Sequence, residues 1–309
     1  MANTKSKKTT AKKSTSKAKA VATKSEKTVK AETATTSAAA LAKGGNPFKG
    51  FFARKCDKDE NILTIFKSPR IWGAVAGELV GTMLLTILML SLVGVTQPLY
   101  VLIGGIGITM AVYAFSGAHL NPAVTVGMMA SRRVSAIRGV LYIVAQVVGA
   151  WLGLIILSGL KGYGAESAMD LPTIAPLVAD KTLWPNIFIE FLGASIVGYF
   201  FCRAQSYKTS KGAFTYAALV AGGLALATLV CVVISMRYTA LYDGGLNPNF
   251  ELNPAIAIME QIFPTTANDV GGLFGDIALA ALTFIIVPML GSVVGFAAAD
   301  ASKKLAGED

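Results

Sequence analysis

A chain of 309 residues with 53% hydrophobic and 15% charged residues and a mean hydropathy of +0.57 is too apolar for soluble domains and reads as a multi-spanning membrane protein. Its net charge of +10 does not point to a nucleic-acid partner, because residues 1–49 hold 12 Lys and 2 Glu and the sixteen basic and sixteen acidic residues of the remainder cancel. Three cysteines, Cys56, Cys202 and Cys231, lack disulfide or metal-ligand spacing, and no cofactor or metal is expected.

Residues 1–49 are Lys, Ala, Thr and Ser with few large apolar side chains, so they are expected to be a disordered, solvated cytoplasmic tail. Contact with anionic lipid headgroups or nucleic acid by charge alone is the sharper alternative for this tail. No apolar run follows the positive start, so no signal peptide is expected. Residues 50–70 read as a juxtamembrane segment in which Cys56 is taken as an inert thiol.

From Ile71 onward, apolar runs near the roughly 20 residues that cross a bilayer predict spans at 71–94, 98–116, 139–160, 184–204, 213–236 and 273–299. Six spans put both termini on one side. Thirteen Lys and Arg outside the tail fall on that side and three opposite, so the positive-inside rule predicts cytoplasmic termini, in the cell membrane.

Two apolar segments are too short to span. Leu120-Asn121-Pro122-Ala123-Val124-Thr125-Val126 recurs as Leu252-Asn253-Pro254-Ala255-Ile256-Ala257-Ile258. Asn is a good N-cap and Pro is tolerated at the first helical position, so each copy predicts a helix start. The helices should run to about Ser131 and Phe263, roughly 15 Å at 1.5 Å per residue, half a bilayer. The first would enter from the cytoplasm and the second from outside. Asn247-Pro248-Asn249 is a rival start, set aside because Pro254 would then break the helix at a cost of about 3 kcal/mol.

The halves match elsewhere. Glu78 in Gly-Glu-Leu-Val-Gly corresponds to Glu190 in Glu-Phe-Leu-Gly-Ala, and the polarity of three spans per half makes an inverted repeat. Glycines at spacing four, as at Gly149 and Gly153 and at Gly291 and Gly295, allow close helix approach. Half-helices starting in corresponding positions mark a midplane site. Facing helix N-termini repel cations, while the Asn121 and Asn253 amides can donate to a neutral solute. A passive pore for small uncharged hydroxylic solutes follows.

Ser-Gly-Ala-His-Leu-Asn-Pro-Ala-Val-Thr at 116–125 matches the signature of the major intrinsic proteins, the aquaporins and glycerol facilitators, and the resemblance covers about 71–300. It implies an all-α membrane protein of six transmembrane helices and two re-entrant half-helices, assembled as a homotetramer in the lipid bilayer with one pore per subunit. The pore residues would be Asn121, Pro122, Ala123, Asn253, Pro254 and Ala255. Glu78 and Glu190 would be buried and bonded to loop backbone, and none of these residues would be catalytic. Pro288-Met289 resembles the Pro-Leu of glycerol facilitators more than the Phe-Trp of water channels, which favours glycerol, with water, over a water-selective channel.

The chain departs from the family at the narrowest point. The Arg that the family places after the second Asn-Pro-Ala is Ile256, and the following Asp of glycerol facilitators is Ala257. The other filter positions fall on Gly104, with Val101 the alternative count, and on Leu229, beside Thr228. Either the filter is wider and more apolar than usual, or Arg237 substitutes for the missing cation. The first is favoured, because Arg237 at a span end is expected to snorkel. His119 is assigned to packing or backbone bonding, and Ser131, Thr109 and Tyr113 to packing. A secondary transporter is disfavoured because no ionisable pair is expected at the half-helix tips. A transport-silent scaffold carrying the Lys-rich tail is the remaining rival, and no nucleophile and base pair or phosphate loop suggests an enzyme.

Overall fold

The computed structural model describes residues 65–91, 97–161, 183–208, 212–241, 250–259 and 273–307. Expectations for the N-terminal tail, Cys56 and Asn247-Pro248-Asn249 concern residues outside that set. Among the described residues there are helices and no strand. Residues Gly50–Ala299 form one compact unit, and the last helix runs on past it.

In chain order the helices are α1 (Pro69–Ser91), α2 (Gln97–Ser116), α3 (Pro122–Ala130), α4 (Ala136–Lys161), α5 (Leu183–Ala204), α6 (Ala213–Leu241), α7 (Pro254–Ala257), α8 (Leu273–Ala281) and α9 (Val287–Ala306). A 3₁₀ turn, Gln205–Tyr207, follows α5, and a π turn, Leu282–Ile286, joins α8 to α9. Helices α1, α2, α4, α5, α6 and the α8–α9 segment are long and apolar enough to cross a membrane. α3 and α7 are not.

The boundaries differ from the sequence reading where helix-forming residues continue past the apolar run. α6 extends through Arg237 to Leu241, so that cation sits within the last turns of the helix, exposed. α9 continues to Ala306 rather than 299. Pro288 lies just after the π turn; its missing N–H leaves the Phe284 carbonyl without its helical donor, and such gaps are taken up as π turns.

The two halves are built alike at their helix crossings. A side chain at Gly149 would collide with the Leu79 carbonyl and one at Gly153 with the Met83 carbonyl, so α4 lies directly on the α1 backbone. Gly291 and Gly295 of α9 meet the Phe191 and Ser195 carbonyls of α5 in the same way. Leu79 and Phe191 each follow the paired glutamates, so both close crossings fix the helix that carries the buried carboxylate. Dispersion between touching backbones supplies the attraction that a bilayer, itself apolar, cannot supply through the hydrophobic effect.

Candidate functional site

α3 starts because Asn121, in an extended conformation, turns its side-chain oxygen onto the Ala123 N–H at 2.8 Å and is followed by Pro122. α7 starts the same way: Asn253 accepts from Ala255 N–H at 3.1 Å ahead of Pro254. With the oxygen of each amide used as a cap, the nitrogen turns to the other half. Asn121 Nδ2 donates to the Leu252 carbonyl at 2.7 Å, and Asn253 Nδ2 donates to the Leu120 carbonyl at 2.9 Å. The half-helices therefore begin side by side, each tied to the residue that precedes the other.

Those carbonyls reach across because Leu120 and Leu252 both lie in the left-handed region, at φ 53° and 55°, with Ala118 at 51°. Leucine resists this conformation at a cost of order 1–3 kcal/mol, so something must hold it. The two buried glutamates do. Glu78 of α1 accepts from the His119 and Leu120 N–H groups at 2.9 and 2.7 Å, and Gln146 of α4 donates to it at 2.7 Å. Glu190 of α5 accepts from the Glu251 and Leu252 N–H groups. A carboxylate inside a membrane protein is costly unless it is hydrogen-bonded, and these two are bonded to the loops they shape.

The first loop carries further support. His119 Nδ1 lies 3.2 Å from Thr125 Oγ1, and Gln146 Nε2 donates to that hydroxyl at 3.0 Å. The imidazole stands edge-on to Tyr142 and Phe201, with ring centroids 5.2 and 5.4 Å away. Tyr216 of α6 donates to the Gly117 carbonyl at 2.6 Å.

The Asn pair lies on the wall of a cavity of about 40 Å³. Leu85 and Met89 of α1, Ile108 of α2, Val124 of α3, Leu224 of α6 and Ile256 of α7 give it an apolar wall, and Thr109, His119, Asn121, Glu251 and Asn253 give it polar points. Each Asn amide has two N–H groups, and the second has no acceptor among the described residues. Among those residues no Lys or Arg lines the cavity.

The family model described as Major intrinsic protein matches residues 65–301. The chain belongs to the major intrinsic protein family. Aquaporin-4 of Bos taurus is 30% identical over 215 residues, 64% of this chain and 63% of that protein, so the chain spans less than two thirds of that relative's length. Glycerol uptake facilitator protein-like 6 of Lactiplantibacillus plantarum is 31% identical over 189 residues, 58% of this chain and 81% of that protein. The X-ray structure of the aquaglyceroporin from Plasmodium falciparum shares the fold, with a TM-score of 0.51 at 18% identity over 74% of this chain and 96% of that one.

Two of the three filter positions assigned by counting along the major intrinsic protein pattern do not line the cavity. Leu229 is 43% exposed on the outer side of α6, where Leu224, one and a half turns earlier, lines the cavity instead. Gly104 faces Leu88 of α1, and its neighbours Gly105 and Ile108 are the lining residues of α2. The alternative, Val101, is buried in the cluster that holds the wall residues Leu85, Met89 and Ile256 but is not itself among the lining residues. Ile256 is fully buried and lines the cavity, and Arg237 does not. Thr109, read from the sequence as packing, is on the wall.

Glu251 drew no attention as sequence. A usable signal was present in the repeat: Glu251 stands two residues before Asn253, as His119 stands two before Asn121. Both donate their backbone N–H to a buried glutamate and both line the cavity.

Proposed function

We propose that this member of the family is a passive channel that carries small neutral solutes, glycerol with water, down their gradients. The reading rests on one observation: two amide donors, their oxygens and one N–H each committed to the fold, meet on the wall of a largely apolar cavity that no Lys or Arg lines among the described residues. A hydroxylic solute can accept from the free N–H groups and slide its carbon side against Leu85, Met89 and Ile256. A bare cation meets the positive end of α3 and loses hydration that an apolar wall does not return. Ile256 in place of a guanidinium leaves the narrow part wider and less polar, which favours a polyol over strict water selectivity. The likeness to a protein named as a glycerol uptake facilitator supports the same substrate.

The protein acts in the cell membrane with both termini in the cytoplasm, a reading that the thirteen-to-three distribution of Lys and Arg supports. Exposed Trp72, Ile103, Phe115 and Trp184 offer apolar surface to lipid and to neighbouring subunits of a homotetramer. The chemistry is transport without a covalent step, and the expected cofactor is none.

Light scattering of proteoliposomes tests this. After a step in an impermeant sugar, vesicles shrink at a rate set by water; after a step in glycerol, they shrink and re-swell if glycerol passes. Re-swelling independent of proton and sodium gradients supports the channel. Water flux without re-swelling means a water-selective channel, a dependence on either ion gradient means a transporter, and flux of neither solute means a scaffold.

A further inference from the structure

We propose that the segment 66–72, which leads into α1, is a binding site for an anionic phospholipid: Phe66 and Trp72 form a shelf for its glycerol and upper acyl chains, and Lys67 and Arg70 meet its phosphate. The site lies apart from the cavity and does not depend on which solute passes through it.

The segment is closed on itself and anchored to the bundle. The Trp72 indole N–H donates to the Phe66 carbonyl at 3.0 Å, and the two rings stand 6.1 Å apart between centroids at 44°. Between them the chain makes two successive turns, Ser68 N–H to the Ile65 carbonyl and Ile71 N–H to the Ser68 carbonyl, both at 3.1 Å. Ile65 and Ile71 are buried with Ala74 and with Tyr142 of α4, which fixes the turns in place. Phe66 and Trp72 remain 43% and 53% exposed, and Lys67 and Arg70 are exposed on the stretch that the ring pair closes. An indole whose N–H is already taken by its own chain has an apolar face left to offer, held at a fixed tilt.

The charge on this stretch is uncompensated. Lys67 and Arg70 make no hydrogen bond or ion pair among the described residues. The first acidic residue after them, Glu78, is buried and bonded to the His119 and Leu120 N–H groups. The apolar span begins at Pro69, so the segment stands where hydrocarbon gives way to headgroups. In the orientation proposed above this is the cytoplasmic leaflet, the one that carries anionic lipid. Each cation at that level favours an anionic surface about fivefold, and a guanidinium adds a two-pronged fit to phosphate. A zwitterionic lipid carries its own ammonium beside the phosphate and gains less. A soluble anion has no acyl chain to lay on the two rings, so the shelf and the cations together select a lipid.

The test uses the full chain in proteoliposomes of phosphatidylcholine and phosphatidylglycerol, with bromine on the acyl chains of one lipid at a time. Bromine quenches a nearby indole. The Trp72 share of the emission is the difference between the wild type and Trp72→Phe, which keeps a ring and leaves Trp151 and Trp184 as background. At equal mole fractions, quenching of Trp72 should report phosphatidylglycerol enriched about twentyfold over phosphatidylcholine. Lys67→Gln and Arg70→Gln should each lower that preference about fivefold, the double variant should bring it near unity, and high salt should act in the same direction. Equal quenching by the two lipids in the wild type would mean that the cations are neutralised, as by Asp57, Asp59 or Glu60 upstream, and would overturn the proposal. A preference that survives the double substitution would place the charge in the Lys-rich residues 1–49 and would overturn it too. So would quenching by neither lipid, because a neighbouring subunit then covers Trp72. None of these results bears on the transport reading, which stands or falls on solute flux.

Discussion

Asn121 and Asn253 each make the same two bonds with exchanged partners: the oxygen caps its own half-helix and the nitrogen holds the carbonyl preceding the other Asn. Capping and bracing can be separated by substitution. Asp caps as well as Asn but has no N–H to give. Asn121→Asp should keep α3 and leave the Leu252 carbonyl unmet, a loss of about 1–3 kcal/mol visible as a lower melting temperature in detergent. Asn121→Ala removes the cap too and should melt lower still. If the two variants melt alike, the brace contributes nothing.

Glu190 accepts from two successive backbone N–H groups that precede Asn253. Gln at this position offers one acceptor oxygen and brings an amide that needs acceptors of its own. Glu190→Gln should cost more than 1.5 kcal/mol, the lower end of about 1.5–3 kcal/mol for a hydrogen bond to a charged group. The expected result is a lower melting temperature together with loss of flux for every solute, and selective loss of one solute would contradict it.

Ile256 is the wall residue where the family pattern carries a cation. Ile256→Arg should narrow and polarise the cavity, so that glycerol flux falls while water flux persists in the same vesicles. Leu229→Ala, on the outer side of α6, should change neither. Unchanged glycerol and larger-polyol flux in Ile256→Arg would remove Ile256 from the filter.

Glycine contacts give a prediction about stability alone. In Gly295→Ala the new methyl would run into the Ser195 carbonyl, so α9 must move off α5 and the protein should lose stability or fail to accumulate in the membrane. At Gly107 nothing lies within 4 Å, and Gly107→Ala should be neutral or stabilise by about 0.5–1 kcal/mol through helix propensity. Thermal unfolding of the two purified variants distinguishes a packed crossing from an open face.

The sequence was most legible where structure is local. A cap followed by proline in an apolar setting located α3 and α7, and spaced glycines located the two close crossings, because neither signal depends on distant residues. Positions that depend on helix rotation were less legible. One residue along α2 is about 100° of turn, so counting from a motif reached Gly104, where a side chain would meet Leu88, whereas Gly105 and Ile108 are the residues of that stretch that contribute to the cavity wall. On α6 the count likewise reached Leu229, which is exposed, five residues beyond the lining residue Leu224. The left-handed backbone at Leu120 and Leu252 was invisible because leucine has no propensity for it, and only the glutamates of α1 and α5 impose it. Glu251 was passed over because it belongs to no pattern within its own half.

The cross-brace spans 131 residues in one direction and 133 in the other. During synthesis the first half therefore inserts with Asn121 Nδ2 and the Leu120 carbonyl both unmatched. At translation rates of about 5–20 residues per second, their partners arrive on the order of ten seconds later. The joint at the centre of the protein cannot close until the second half has been made. Truncation after α4 should thus yield an inserted half with its Asn121 loop open, a natural substrate for membrane quality control until α7 emerges to complete it.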